Sequence, residues 1–308
     1  MQHSRLNFFF LNIGHLYDHL FVLIFATVAA LSLSQNWGLS YGELIPYATP
    51  GFIAFGVCAL PAGWLADKWS RQGMMVVFFL GIGVSSIVTS FAQTPLQIGA
   101  GLLIIGMFAA IYHPVGLALV VDGRERTGVP LAINGIFGNL GVAVAALLTG
   151  LLIDVMDWRA AFYVPGILSI GTALAYGIFI RSNSNREARS ENNKTANKPK
   201  SDSSQTEDRN IIIRIFAIMF ISTAIGGVIY QSTTFALPKL FAERITDIAD
   251  TASEIGFYAF IVFAVAGIAQ LVVGYFADRH SIRSVFGVVA LLQVCFLALV
   301  HNMAGLNS

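Results

Sequence analysis

The sequence predicts an all-α membrane protein, and three observations carry that prediction. The 308 residues are 56% hydrophobic and only 11% charged, whereas a water-soluble domain carries about 25% charged residues. Nine apolar runs lie at 6–33, 44–66, 74–92, 96–121, 129–153, 158–180, 211–238, 255–277 and 284–302, each near the roughly 20 residues that a membrane-spanning helix needs. A short charged phrase after the second run, "GWLADKWSRQ", returns after the eighth as "GYFADRHSIR".

The first run follows Arg5, lacks a small-residue cleavage pattern and is too long for a signal-peptide core, so it reads as a retained helix. The breaks between runs are short and polar, and Gly and Pro occur freely inside them, as lipid-embedded helices tolerate. Fifteen Lys and Arg residues fall on one side of this threading and three, Arg159, Lys239 and Arg244, on the other. By the positive-inside rule the N-terminus is cytoplasmic, and so are both charged phrases. Cys58 and Cys295 each sit in an apolar run and read as small buried residues, not as a disulfide framework.

Residues 182–210 are polar, mixed in charge and almost free of large apolar side chains, which predicts a disordered cytoplasmic linker between a six-helix bundle, 1–181, and a partial bundle, 211–308. The charged phrase belongs to a longer match at one offset of 211 residues. Glu43 pairs with Glu254, Tyr47 with Tyr258, Phe52 with Phe263, Gly56 with Gly267, Gly63 with Gly274, Asp67 with Asp278, Lys68 with Arg279 and Ser70 with Ser281. Parallel repeats of six helices are a transporter architecture. A second half that copies the first has six helices, so nine runs predict a chain truncated before the last three of twelve.

The phrase resembles the signature loop of the major facilitator superfamily, Gly-x-x-x-Asp-Arg/Lys-x-Gly-Arg-Arg/Lys, through Gly63, Asp67, Lys68 and Arg71, and again through Gly274, Asp278, Arg279 and Arg283. Ser70 and Ser281 stand at its second glycine, and Gln72 replaces its last base. "DWRAAF" at 157–162 is similar to the element that opens the sixth helix of that superfamily. "IYHPVG" at 111–116 and "NGIFGNLGVAVAALLTG" at 134–150 resemble its fosmidomycin-resistance-type branch. The arginine and proline of drug antiporters, in the fourth and fifth helices, have no counterpart here. The resemblance implies a gradient-driven secondary transporter working by alternating access, with helices 1, 4, 7 and 10 around a central cavity. It also implies that the repeated loops gate the cytoplasmic face. On that pattern the loop at 278–283 faces the start of the fifth helix near Thr127 to Pro130, and Asp67 lacks a partner across the halves.

Physical chemistry gives the loops the same means. An aspartate at a helix N-terminus is favoured by about 0.3–1 kcal/mol when exposed, and a weak latch suits a gate that must open.

Ionisable residues inside spanning helices are costly and mark functional sites. His15, Asp18 and His19 in the first run share one helical face. At 1.5 Å per residue His15 lies roughly 13 Å past Leu6, and His113 lies at a similar depth from Asp122 on the fourth run. The four residues are the candidate substrate and proton pathway, because histidine exchanges protons near neutral pH. A polar cluster that only fixes helix packing is the competing reading. Asn134 and Asn139 read as interhelical hydrogen-bonding groups, Gly135, Gly138 and Gly141 as close-packing positions, and Tyr230 and Gln231 as cavity lining.

His15-x-x-x-His19 has the spacing of membrane di-iron boxes, but such sites draw on many histidines and the chain has six. No metal, cofactor or catalytic residue is expected. The absence of a glycine-rich phosphate loop excludes ATP hydrolysis by this chain, and no nucleic-acid partner is expected. The expected partners are a small solute, protons and the lipid of a bacterial inner membrane, with the protein a monomer. A receptor or scaffold on a carrier fold, or a non-functional truncated fragment, are the alternatives.

Overall fold

The computed structural model describes residues 5–124, 127–191, 209–277 and 279–305, and no strand occurs among them. The helices are α1 (Arg5–Trp37), α2 (Tyr41–Lys68), α3 (Arg71–Ser90), α4 (Pro95–Val121) and α5 (Gly128–Val155). They continue with α6 (Ala160–Glu191), α7 (Arg209–Arg244), α8 (Ala252–Ala277) and α9 (Ile282–Gly305). Among the described residues eight of these are long and apolar enough to cross a membrane, and the ninth contributes a shorter apolar stretch, Arg283–Phe296.

Two boundaries differ from the sequence reading. The predicted linker begins at 182, but α6 stays helical to Glu191 and α7 begins at Arg209. Arg186, Glu187, Ala188 and Arg189 are adequate helix formers, so polarity alone does not end the helix. The remainder of that segment, 192–208, lies outside the described residues.

Helices pack where small residues let backbones meet. Gly51 of α2 lies against Leu102 of α4, where an added Cβ would stand 2.7 Å from the Leu102 carbonyl oxygen. Gly83 of α3 meets Gly166 of α6 in the same way. Hydroxyls stitch that α3–α6 pair: Ser86 donates to the Phe162 carbonyl and Ser169 to the Phe79 carbonyl, both at 2.7 Å. The "DWRAAF" element opens α6. Asp157 accepts from the Arg159 amide at 2.8 Å, Trp158 is buried, and Arg159 lies over the Trp158 ring. α5 is shared between the halves, since Gly138 and Gly141 face α1 while Gly150 faces α8.

The repeat extends into hydrogen-bond detail. At the start of α2, Ser40 and Glu43 form a capping box: the Glu43 amide donates to the Ser40 hydroxyl at 3.3 Å and the Ser40 amide to the Glu43 carboxylate at 2.8 Å. Thr251 and Glu254 form the same box before α8, at 3.3 and 3.0 Å. Ser70 caps α3 by accepting from Gly73, and Ser281 accepts from Ser284 at the start of α9. Every pair is related by the offset found in the sequence. Glu43 and Glu254 are therefore exposed helix-capping groups.

Candidate functional site

Four polar side chains meet where α1, α4 and α7 converge. His15, Asp18 and His19 project from consecutive turns of α1. His113 comes from α4 within a π-helical turn, Tyr112–Gly116, that contains Pro114. Proline lacks an amide hydrogen and clashes with the carbonyl four residues back, so the helix widens there. Gly63 of α2 fits against that turn, an added Cβ lying 3.3 Å from Pro114 Cβ.

The His113 Nε2 atom lies 3.1 Å from Asp18 Oδ2. Asp18 is only 1% exposed, whereas the His113 side chain is 38% exposed. His15 sits 5.5 Å from His113 and 5.0 Å from His19 between ring centroids, and His19 sits 5.8 Å from His113. The one face and common depth read from the sequence are thus one cluster. Asp18 pairs with His113 across helices, not with a histidine of its own helix. From the second half, Tyr230 of α7 meets His19 edge-on at 6.5 Å. Phe55 of α2 meets His113 at 5.8 Å. Beyond Phe55, an apolar pocket is lined by Phe21, Phe25 and Phe52.

Beneath the cluster lies a buried network that sequence reasoning only touched. His15 donates from Nδ1 to the backbone carbonyl of Asn134 at 2.7 Å. Its ring stacks on Tyr112 at 4.9 Å and 18°. The Tyr112 hydroxyl donates to the Leu11 carbonyl at 2.8 Å and accepts from Asn134 Nδ2 at 2.9 Å. Asn134 Nδ2 also donates to Asn12 Oδ1 at 2.9 Å. Asn134 acts between helices as its type suggested. Tyr112 and Asn12 were missed, and the only local signal was a tyrosine adjoining His113 and an asparagine one turn before His15. Asn139 reaches Gln270 of α8 by a hydrogen bond.

The repeated loops do not join this cluster. Gly63 packs on α4 as described. Asp67 accepts from Arg71 at 2.8 and 3.0 Å within its own loop, and Lys68 is exposed. Gly274 lies nearest Ala132 at the start of α5, 4.0 Å from an added Cβ. Arg279 lies over the Tyr275 ring at 3.6 Å, Arg283 is exposed, and Asp278 lies outside the described residues. At the opposite end of the bundle, Asp154 of α5 accepts from the Ser253 and Ala252 amides at the start of α8, at 2.8 and 3.3 Å. Tyr41 of α2 donates to the Phe235 carbonyl of α7 at 2.9 Å.

Comparison with known proteins gives this arrangement its family. Over 299 residues, 90% of this chain and 67% of the relative, the chain is 23% identical to the 4-hydroxybenzoate transporter PcaK of Pseudomonas putida. Over 141 residues it is 31% identical to the puromycin resistance protein pur8 of Streptomyces alboniger, covering 44% of this chain and 28% of the relative. Over 157 residues it is 26% identical to the gallate transporter of Pseudomonas putida, covering 50% of this chain and 35% of the relative. The chain thus spans about a third of the length of these last two. The family model for the Major Facilitator Superfamily matches residues 11–306. With several helices able to cross a bilayer, the protein is a multi-pass membrane protein, and it belongs to the Major Facilitator Superfamily.

Proposed function

We propose that the protein is a secondary active transporter that moves a small solute across a bacterial inner membrane by alternating access, coupled to protons, with its N-terminus in the cytoplasm. The observation that carries this reading is the pair of buried Asp18 and partly exposed His113, with His15 and His19 beside it, at the meeting of both halves. Ionisable groups are costly at that depth in a membrane and are kept where they act. A proton on His113 strengthens its attraction to Asp18, and its loss weakens it. The pair therefore gives proton movement a way to alter contacts between α1 and α4.

Contacts between the halves support the rocking movement. In the proposed orientation the Asp154–α8 and Tyr41–Phe235 bonds lie toward the outer face. These two contacts would hold the outer side closed in the proposed cycle. Gly63, Asp67, Lys68 and Arg71, with Gly274, Asp278, Arg279 and Arg283, are the gating loops of this proposal. Two relatives are named for transport of gallate and of 4-hydroxybenzoate, both aromatic carboxylates. Imidazoles beside Phe55 offer a charge partner and an aromatic edge to such a solute, which makes an aromatic carboxylate the first to test.

Proteoliposomes containing the full chain provide the test. Wild-type uptake or efflux rises with an imposed pH gradient. His15→Ala or Asp18→Asn removes that dependence while solute exchange persists. Gradient-independent transport by wild type overturns the coupling, and absence of any solute movement favours a receptor or scaffold. If the variants lose folded protein and keep normal pH dependence in what remains, the cluster is structural.

A further inference from the structure

We propose that His15, His19 and His113 form a binding site for one divalent transition-metal cation of the Zn2+ class, oriented by Asp18 and Asn134. Each ring offers one nitrogen, and the three atoms lie within 4.8 Å of one another. In a zinc site with bonds of about 2.0–2.1 Å the ligand nitrogens stand roughly 3.3 Å apart. The rings therefore need to close by at most roughly 1.5 Å to share an ion. His19 and His113 are only partly buried, while His15 is buried and bonded to the Asn134 carbonyl.

Two further observations point to a cation. The first is the outer shell. Metal-binding histidines usually donate their other ring N–H to a carboxylate or a backbone carbonyl, which fixes the tautomer and raises ligand basicity. Both forms are present: His15 donates from Nδ1 to the Asn134 carbonyl, and His113 Nε2 contacts the Asp18 carboxylate. Each bond leaves the ring's second nitrogen with a free lone pair. The second is Asp18 itself. Its Oδ1 atom is buried with no hydrogen-bond partner, in a side chain only 1% exposed. A proton on His113 serves Oδ2 and leaves Oδ1 without a donor. A dipositive ion on the three rings adds a nearby positive charge that favours the ionised, under-bonded carboxylate.

The chemistry selects the ion. Neutral imidazoles suit Zn2+, Cu2+ and Ni2+, whereas Mg2+ and Ca2+ require oxygen ligands. Three histidines leave a fourth coordination position, as zinc sites with an exchangeable ligand do. The site differs from the di-iron boxes considered from sequence, which need several such motifs.

The experiment uses the full chain, purified in detergent with a tag lacking histidine. Calorimetry with Zn2+ is expected to show one ion per chain. Co2+ is expected to give the intense visible bands of a four-coordinate site, and Zn X-ray absorption of the wild type to show scattering from three imidazoles. His19→Ala and His113→Ala abolish saturable binding. Asp18→Asn, which keeps every ligand, weakens it by about 10–100-fold. His280→Gln, on an exposed loop, leaves it unchanged. No saturable wild-type binding, fewer than three imidazoles in the absorption spectrum, or unchanged affinity in folded His19→Ala overturns the proposal. The wild-type spectra decide the matter even where a variant fails to fold. Since binding is read without solute movement, its failure is distinct from a failure of the transport reading.

Discussion

Replacing Asn134 with alanine isolates the network under the histidines. The side chain is fully buried and donates to both Asn12 and Tyr112 at 2.9 Å. Interhelical hydrogen bonds in membranes average about 0.6 kcal/mol each, so losing two costs about 1 kcal/mol. The orphaned groups decide the total. Tyr112 keeps its bond to the Leu11 carbonyl, but Asn12 Oδ1 loses the amide that served it, in a side chain 4% exposed. A buried acceptor without a partner costs about 1–3 kcal/mol. The expected loss for Asn134→Ala is therefore about 2–4 kcal/mol. Asn139→Ala, at an exposed contact, is expected to cost under about 1 kcal/mol. Reversible unfolding in mixed micelles, followed by tryptophan fluorescence, measures both. His15 bonds the backbone of Asn134, so its ring orientation survives and solute exchange by the folded fraction persists. A loss below about 1 kcal/mol for Asn134→Ala refutes the orphan argument.

Asp154→Ala removes the bonds to the start of α8; at an exposed helix terminus this is worth about 1 kcal/mol, or roughly a fivefold change in a two-state equilibrium. Spin labels at that end of α5 and α8 should show a larger fraction of long distances, and an unchanged distribution counts against the latch. Gly138→Ala places a Cβ 2.7 Å from His15 Nε2, too close for contact. It is expected to weaken pH-driven transport and Zn2+ binding together while the protein still inserts; preservation of both would show that the ring turns freely. Asp67→Asn breaks an exposed pair with Arg71 worth only about 0.3–0.5 kcal/mol. Folding should be intact and transport slower, and transport at wild-type rate would reduce the loop to a topology signal.

Much of this was legible in one dimension because lipid imposes simple rules. Spans follow from length and polarity, and the repeat follows from letters at one offset. His15, Asp18 and His19 were found because a charge in an apolar run is conspicuous and helical period places all three on one side. Their partners were harder to find. Which carboxylate serves which histidine depends on the rotation of α4 against α1, and Asp18 chose a ring 95 residues away in sequence. Tyr112 and Asn12 look ordinary in their helices, and only the approach of three backbones gives them a role.

The duplicated caps bear on how the protein is made. Biosynthesis delivers such a chain to the bilayer as successive hairpins, long before distant helices can meet. Ser40 with Glu43, and Thr251 with Glu254, satisfy their own helix starts from within four residues. Ser70 and Ser281 do the same for the returning helices. The hairpins α2–α3 and α8–α9 thus carry their own punctuation, and each can take shape as it emerges, before the buried polar cluster has anything to bond with.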